Sequence, residues 1–170
     1  MRQLIVALYL VMLGFVLLGS VRVDAQPLPN PYGAPVTTEV ARKVAAAAIA
    51  EAKKNGWTVA AAVVDPGGTL VYFERVDGTQ NGSSEVAQEK ARTSAMFKRP
   101  SKSFEDVVAG GKINYLRLTG TIPLEGGQPL VIDGKVVGAI GVSGATSQQD
   151  GICAKAGADS LAAPSSPARK

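Results

Sequence analysis

The chain of 170 residues contains no histidine. That absence removes the Ser-His-Asp triad, the usual zinc sites and the commonest haem ligand. Any chemistry must come from carboxylates, Lys, Tyr, Thr, a thiol or backbone groups. Cysteine occurs once, at Cys153. A lone cysteine excludes an intrachain disulfide, so the core must hold by packing, and Cys153 reads as a small buried apolar residue. Aromatic residues make up only 5% and are thinly spread. Lys and Arg are scattered, with Lys98, Arg99 and Lys102 the one local cluster. Nucleic-acid binding wants a basic stripe interleaved with aromatics, and neither is present.

The first residues read as a leader rather than as part of a domain. Met1-Arg2 is a charged start, Leu4 to Leu18 is apolar but for Tyr9 and Gly14, and Val23-Asp24-Ala25 is a small-x-small ending before Gln26. This is the layout of a secretory signal peptide. A spanning helix needs roughly 20 apolar residues, and this run is shorter. Residues 1–25 are therefore expected to be cleaved, giving a periplasmic or extracellular protein with no stable membrane insertion. Cleavage removes Arg2, Arg22 and Asp24 and leaves 16 basic against 13 acidic side chains, a net charge of +3. The remainder, about 145 residues, is enough for one domain, since a chain of that size buries roughly two thirds of its unfolded surface.

Residues 26–36 hold four prolines and read as an extended linker. Thr37 or Thr38 caps a helix, with Glu39 in its first turn and apolar positions Val40, Val44, Ala47 and Ala48; Asn55-Gly56 ends it. Thr58 to Val64 and Thr69 to Arg75 make an antiparallel hairpin about the turn Asp65-Pro66-Gly67-Gly68. Ser83 or Ser84 caps a second helix that runs to about Phe97, ended by Arg99-Pro100. Ser101 or Ser103 starts a short helix ending at Gly110-Gly111, and a short strand is expected after it. Pro129 to Ile132 and Lys135 to Val142 flank Asp133-Gly134, a type I′ hairpin turn. Thr146 or Ser147 caps the last helix, with Asp150 at the capping-box position after Ser147. Residues 163–170 read as a frayed tail. Hairpins with helices before, between and after them imply an α/β (α+β) domain, a three-layer α/β/α with a central antiparallel sheet.

Gly126-Gly127 precedes the last hairpin, and Gly138, Gly141 and Gly144 punctuate its second strand and exit. Glycine in a strand marks close approach by another backbone or by a ligand, and both readings stand at this point. Neither a dinucleotide fingerprint nor a P-loop is present in Gly110-Gly111-Lys112 or elsewhere. The stretches "GGQPLVIDGKVVGAIGVSGATSQQD" (126–150), "VVDPGGTLVYFERVDG" (63–78) and "AQEKARTSAMF" (87–97) together resemble the GlcG/HbpS-like haem-binding family, over about residues 37–162. The resemblance implies a profilin-like fold and a homo-oligomer. Some members bind haem, some are secreted, and one is the sensor partner of a two-component kinase. A related module forms the C-terminal part of PduO-type corrinoid adenosyltransferases and binds haem.

The resemblance also implies a site. The family's Lys-x-x-Thr-Ala block reads Lys90-Ala91-Arg92-Thr93-Ser94 here, departing at Ser94. The family's threonine ligand to haem iron carries over to Thr93, with back-bonding inside its own helix as the competing role. Arg75, Lys90 and Arg92 are the candidates to neutralise haem propionates, with solvated surface charge as the alternative. Gly126 and Gly127 admit a planar ligand to backbone N–H groups. The expected site lies where the helix of Lys90 and Thr93 approaches those glycines, with Arg75 at its rim. A threonine ligand is weak, which suits a sensor or scavenger. Two other readings are an oligomeric accessory protein and an enzyme acting on another small organic anion. Asp65, Glu74, Asp77 and Glu85 supply carboxylates near the first hairpin without forming a recognisable acid–base pair. Asn81-Gly82-Ser83 matches a glycosylation sequon, of little weight because the leader and the resemblance imply a bacterial source.

Overall fold

The computed structural model describes residues 29–161. The predicted leader and tail lie outside the described residues. The elements are α1 (Thr38–Lys54), β1 (Ala60–Val64), β2 (Leu70–Arg75), α2 (Ser83–Phe97), α3 (Lys102–Ala109), a 3₁₀ turn (Ile113–Arg117), β3 (Gly127–Ile132), β4 (Lys135–Ser143) and α4 (Ser147–Asp159). The four strands form one antiparallel sheet in the order β2-β1-β4-β3. Helices α1 and α4 pack together on one face and α2 covers the other, the three layers expected from the alternation of hairpins and helices.

Local chemistry explains most boundaries. The Thr37 hydroxyl accepts the Val40 N–H, closing the open start of α1. Ala41, Val44, Ala45, Ala48, Ile49 and Ala52 recur at helical spacing and are all buried. All five residues of β1 are buried, as a central strand covered on both faces must be. Asp133 and Gly134 both take positive φ, 49° and 70°, as a type I′ turn requires.

Four expectations are corrected. Helix α2 is capped by Gly82, not by Ser83 or Ser84; Ser83 is buried and its hydroxyl has no partner. The segment after α3 forms a 3₁₀ turn in place of a short strand. The capping box of α4 is Thr146 with Gln149, because Asp150 turns inward to a stronger partner. Finally, the described part of the Pro-rich segment, from residue 29, is tied to the sheet. The Gly33 and Val36 N–H groups donate to the carbonyls of Val136 and Val137, and the Val136 N–H donates to the Pro31 carbonyl. Tyr32 thus forms a parallel bridge to β4, alongside the part of that strand that outruns β1.

The two faces of the sheet differ. Toward α1 and α4 lie Val44, Ile49, Val63, Leu130, Ile140 and Val142, side chains whose burial is worth roughly 1.5–3 kcal/mol each. Toward α2 the interface is alanine: Ala60, Ala62, Ala87, Ala91, Ala95 and Ala139, with Val64. Small residues let the helix backbone descend onto the sheet. A Cβ at Gly141 would stand 2.0 Å from the Ala87 carbonyl oxygen, so at that position the glycine serves helix-on-strand packing.

Candidate functional site

The sheet-facing side of α2 carries one charge. Lys90 is 2% exposed, and its ammonium lies 2.7 Å from Asp150 Oδ2 and donates to the Val142 carbonyl at 3.2 Å. Asp150 sits in the first turn of α4, 2% exposed, and its other oxygen accepts the Ala145 N–H at 3.0 Å. Burial pushes the Asp150 carboxyl above the usual carboxylate range, against the opposing pull of Lys90 and of backbone N–H groups. The pair ties α2 to the exit of β4 and the start of α4, joining both faces of the sheet. The carboxylate that Lys90 meets in this structure is therefore internal.

Of the residues expected to form a site, Lys90, Gly126 and Gly127 come together. The approach between them is filled rather than open. A Cβ at Gly126 would stand 2.8 Å from Lys90 Nζ, and one at Gly127 would stand 2.3 Å from the Lys90 carbonyl oxygen and 2.5 Å from Ser94 Oγ. Thr93, one turn on, has no exposed surface. Its hydroxyl donates to the Glu89 carbonyl at 2.8 Å and accepts the Ile122 N–H at 2.9 Å, so it both back-bonds and fastens the loop before β3. Arg92 is half-buried, with Nε donating to the Gly68 carbonyl and NH1 paired with Glu89 at 2.5 Å. Arg75 lies apart, exposed at the end of β2 and bonded to Asn81. Among the described residues no cluster of His, Cys, Asp and Glu is placed to hold a metal ion. Cys153 is buried, which pushes its thiol up to about 11.

Exposed apolar surface gathers elsewhere, from the C-terminal end of α2 to the loop before β3. Met96, Ile113, Leu116, Leu118 and Leu124 are all exposed. A concavity of about 310 Å³ is lined by Asn114, Tyr115, Arg117 and Leu118. A chain of ring contacts, Phe97 to Phe104 at 5.2 Å and Phe104 to Tyr115 at 6.4 Å, links this hollow to the end of α2. Lys98 lies over the Tyr32 ring, and Arg117 lines the hollow, so cations border the apolar surface. Sequence reading passed over this region. The available signal was an aperiodic run, Ile113 to Leu118, between Gly110-Gly111 and Gly120.

Three α/β/α layers built on an all-antiparallel sheet of four strands define a small α+β module. The family model described as "Haem degrading protein HbpS-like" matches residues 36–159, and the chain belongs to that family. It is 41% identical over 108 residues to Protein GlcG of Escherichia coli strain K12, which covers 64% of this chain and 81% of GlcG. A crystal structure of a double mutant of HbpS from Streptomyces reticuli superposes with a TM-score of 0.70 at 33% identity, over 84% of this chain and 98% of that one. A crystal structure of a PduOC:heme complex matches with a TM-score of 0.67 at 25% identity, over 74% of this chain and 94% of that one.

Proposed function

We propose that this chain is an exported protein that binds haem or a related tetrapyrrole, assembles as a homo-oligomer and acts as a sensor or scavenger. The observation that carries the reading is the exposed apolar surface between the end of α2 and the loop before β3, bordered by Arg92, Lys98 and Arg117, in a chain whose family description names haem. A haem presents an apolar plane and two carboxylates, and these residues match both. Leu118 and the Tyr115 ring offer apolar contact; the cations offer partners for propionates. Among the residues predicted from sequence, Arg92 borders this surface, and Thr93 supports it from beneath by holding Ile122. An open, partly hydrated surface binds loosely and releases readily, which fits sensing or scavenging. In the sensor role the partner is an exported or membrane-borne kinase domain. The charged start, short apolar core and Val23-Asp24-Ala25 ending support export. Among the described residues, no helix is long and apolar enough to cross a membrane.

The same exposed leucines also favour a second reading, an oligomeric accessory protein that buries them between subunits. Titration of the purified protein with haem, followed by absorbance, separates the two. A saturable Soret band at fixed stoichiometry is the expected result. Linear, unsaturating absorbance like that of haem in buffer would reject tetrapyrrole binding and leave the accessory reading.

A further inference from the structure

We infer that the Tyr115 phenolate is the iron ligand of a haem lying over the hollow at the 3₁₀ turn. The inference rests on the haem reading above and adds to it the atom that meets the metal. Protein ligands to haem iron are drawn chiefly from His, Cys, Met and Tyr. Among the described residues these types are Cys153, Met96, Tyr32, Tyr72 and Tyr115. Cys153 is fully buried, with its thiol held protonated. The Met96 sulfur is packed against the turns at Gly68 and Gly120. The Tyr32 hydroxyl donates to the carbonyls of Ala95 and Met96, and the Tyr72 hydroxyl donates to Glu74. The Thr93 hydroxyl, buried, makes both a donor and an acceptor bond. Tyr115 differs from all of these. It is half-buried, it lines the hollow, and its hydroxyl has no hydrogen-bond partner among the described residues.

The turn assembles the rest of the site. Asn114 and Arg117 are three apart, and in a 3₁₀ turn residues three apart eclipse one another, so both line the hollow with Tyr115. By the same spacing Ile113 and Leu116 form a neighbouring row, 69% and 59% exposed. The Tyr115 ring rests against Phe104, which is 2% exposed and meets Phe97 edge-on, so the core fixes the base of the phenol. The hollow, about 310 Å³, stands at the lower bound of ligand pockets, roughly 300–1,000 Å³. A macrocycle therefore covers it rather than entering it, with the Ile113 and Leu116 row as apolar ground for its rim. Arg117 enters none of the ion pairs among the described residues, so its charge is available to favour the phenolate. A phenolate is a hard, anionic donor and suits ferric iron, the state favoured in the oxidising compartment that export implies. As the iron–oxygen bond forms, the phenol O–H proton passes to solvent and the water or hydroxide on the ferric haem leaves. No oxidation state changes, so affinity depends on pH through that one proton.

The test is resonance Raman spectroscopy and optical titration of the haem-loaded full chain, grown with ordinary or ring-deuterated tyrosine, and of Tyr115→Phe, Tyr115→His and Arg117→Gln. Phenolate vibrations that shift on deuteration are expected in the parent chain. Tyr115→Phe should lose them and bind haem about tenfold or more weakly, at least the scale on which metal sites respond to loss of a supporting group. Its melting curve should match the parent's, since the ring against Phe104 remains. Tyr115→His should restore affinity with a nitrogen ligand and no phenolate bands. Arg117→Gln should keep the bands but move the pH at which they appear upward; an unmoved midpoint overturns the role given to Arg117. Saturable haem binding without phenolate bands in the parent, or a Tyr115→Phe chain identical to it, overturns the assignment and leaves the haem reading standing. Absence of haem binding by the parent chain overturns both.

Discussion

Lys90 and Asp150 are two opposite charges placed almost wholly out of water, and the protein bears the desolvation of both. Such pairs contribute little net stability against an apolar replacement, but removing one partner strands the other. Asp150→Ala should therefore cost about 3–5 kcal/mol in urea denaturation. It leaves a buried ammonium with only the Val142 carbonyl and also frees the Ala145 N–H. Lys90→Met should cost a similar amount for the reciprocal reason. The double replacement Lys90→Met with Asp150→Leu should recover most of the loss. Single and double changes whose costs simply add would show that the two groups do not interact. The pair also explains a residue-level misreading. Asp150 lies three positions after Ser147, so sequence spacing assigns it to a helix cap, while the partner that decides its orientation is 60 positions away.

At the scale of elements, what was legible in the sequence is what local chemistry decides. The Asp65-Pro66-Gly67-Gly68 and Asp133-Gly134 turns, the alanine-rich first helix and the fully apolar β1 follow from residues within a few positions of each other. The departures arise where distant contacts win. Ser83 is a good cap by type, yet it is buried, and Gly82 takes the cap. The prolines of the supposed linker suit an extended strap, but only β4, a hundred residues on, supplies the carbonyls and N–H groups that hold it. Tyr115 reads in sequence as one residue of an aperiodic run, and its setting exists only once its ring has packed against Phe104. The strand glycines stood between ligand approach and packing; at Gly141 the structure decides for packing. Gly141→Ala is expected to destabilise by at least about 1–3 kcal/mol, the usual cost of overfilling a core, because backbone, not a flexible side chain, occupies the space. A thermal melt of Gly141→Ala matching the parent would show that α2 rides higher on β4 than the structure places it.

The whole molecule keeps its two sheet faces unequally. One is sealed by two helices with branched apolar residues. The other is covered by a single alanine-rich helix, whose end runs out onto exposed Met96 and the leucines near it. Exposed apolar surface of this kind marks an interface or a ligand groove more often than idle surface. In the proposed reading it serves both: subunits shield part of it, and the remainder receives the tetrapyrrole. The full chain, expressed with its first 25 residues and recovered from the exported fraction, tests this at one stroke. Intact mass should correspond to a chain beginning at Gln26, and light scattering on the same sample should give a multiple of that mass. Retention of Met1 would reject export. A monomer at high protein concentration would reject assembly, leaving the exposed leucines to be explained by the ligand alone. Dissociation of the assembly on replacing Leu116, which is 59% exposed in the single subunit, with Glu would then place the subunit contact on this surface.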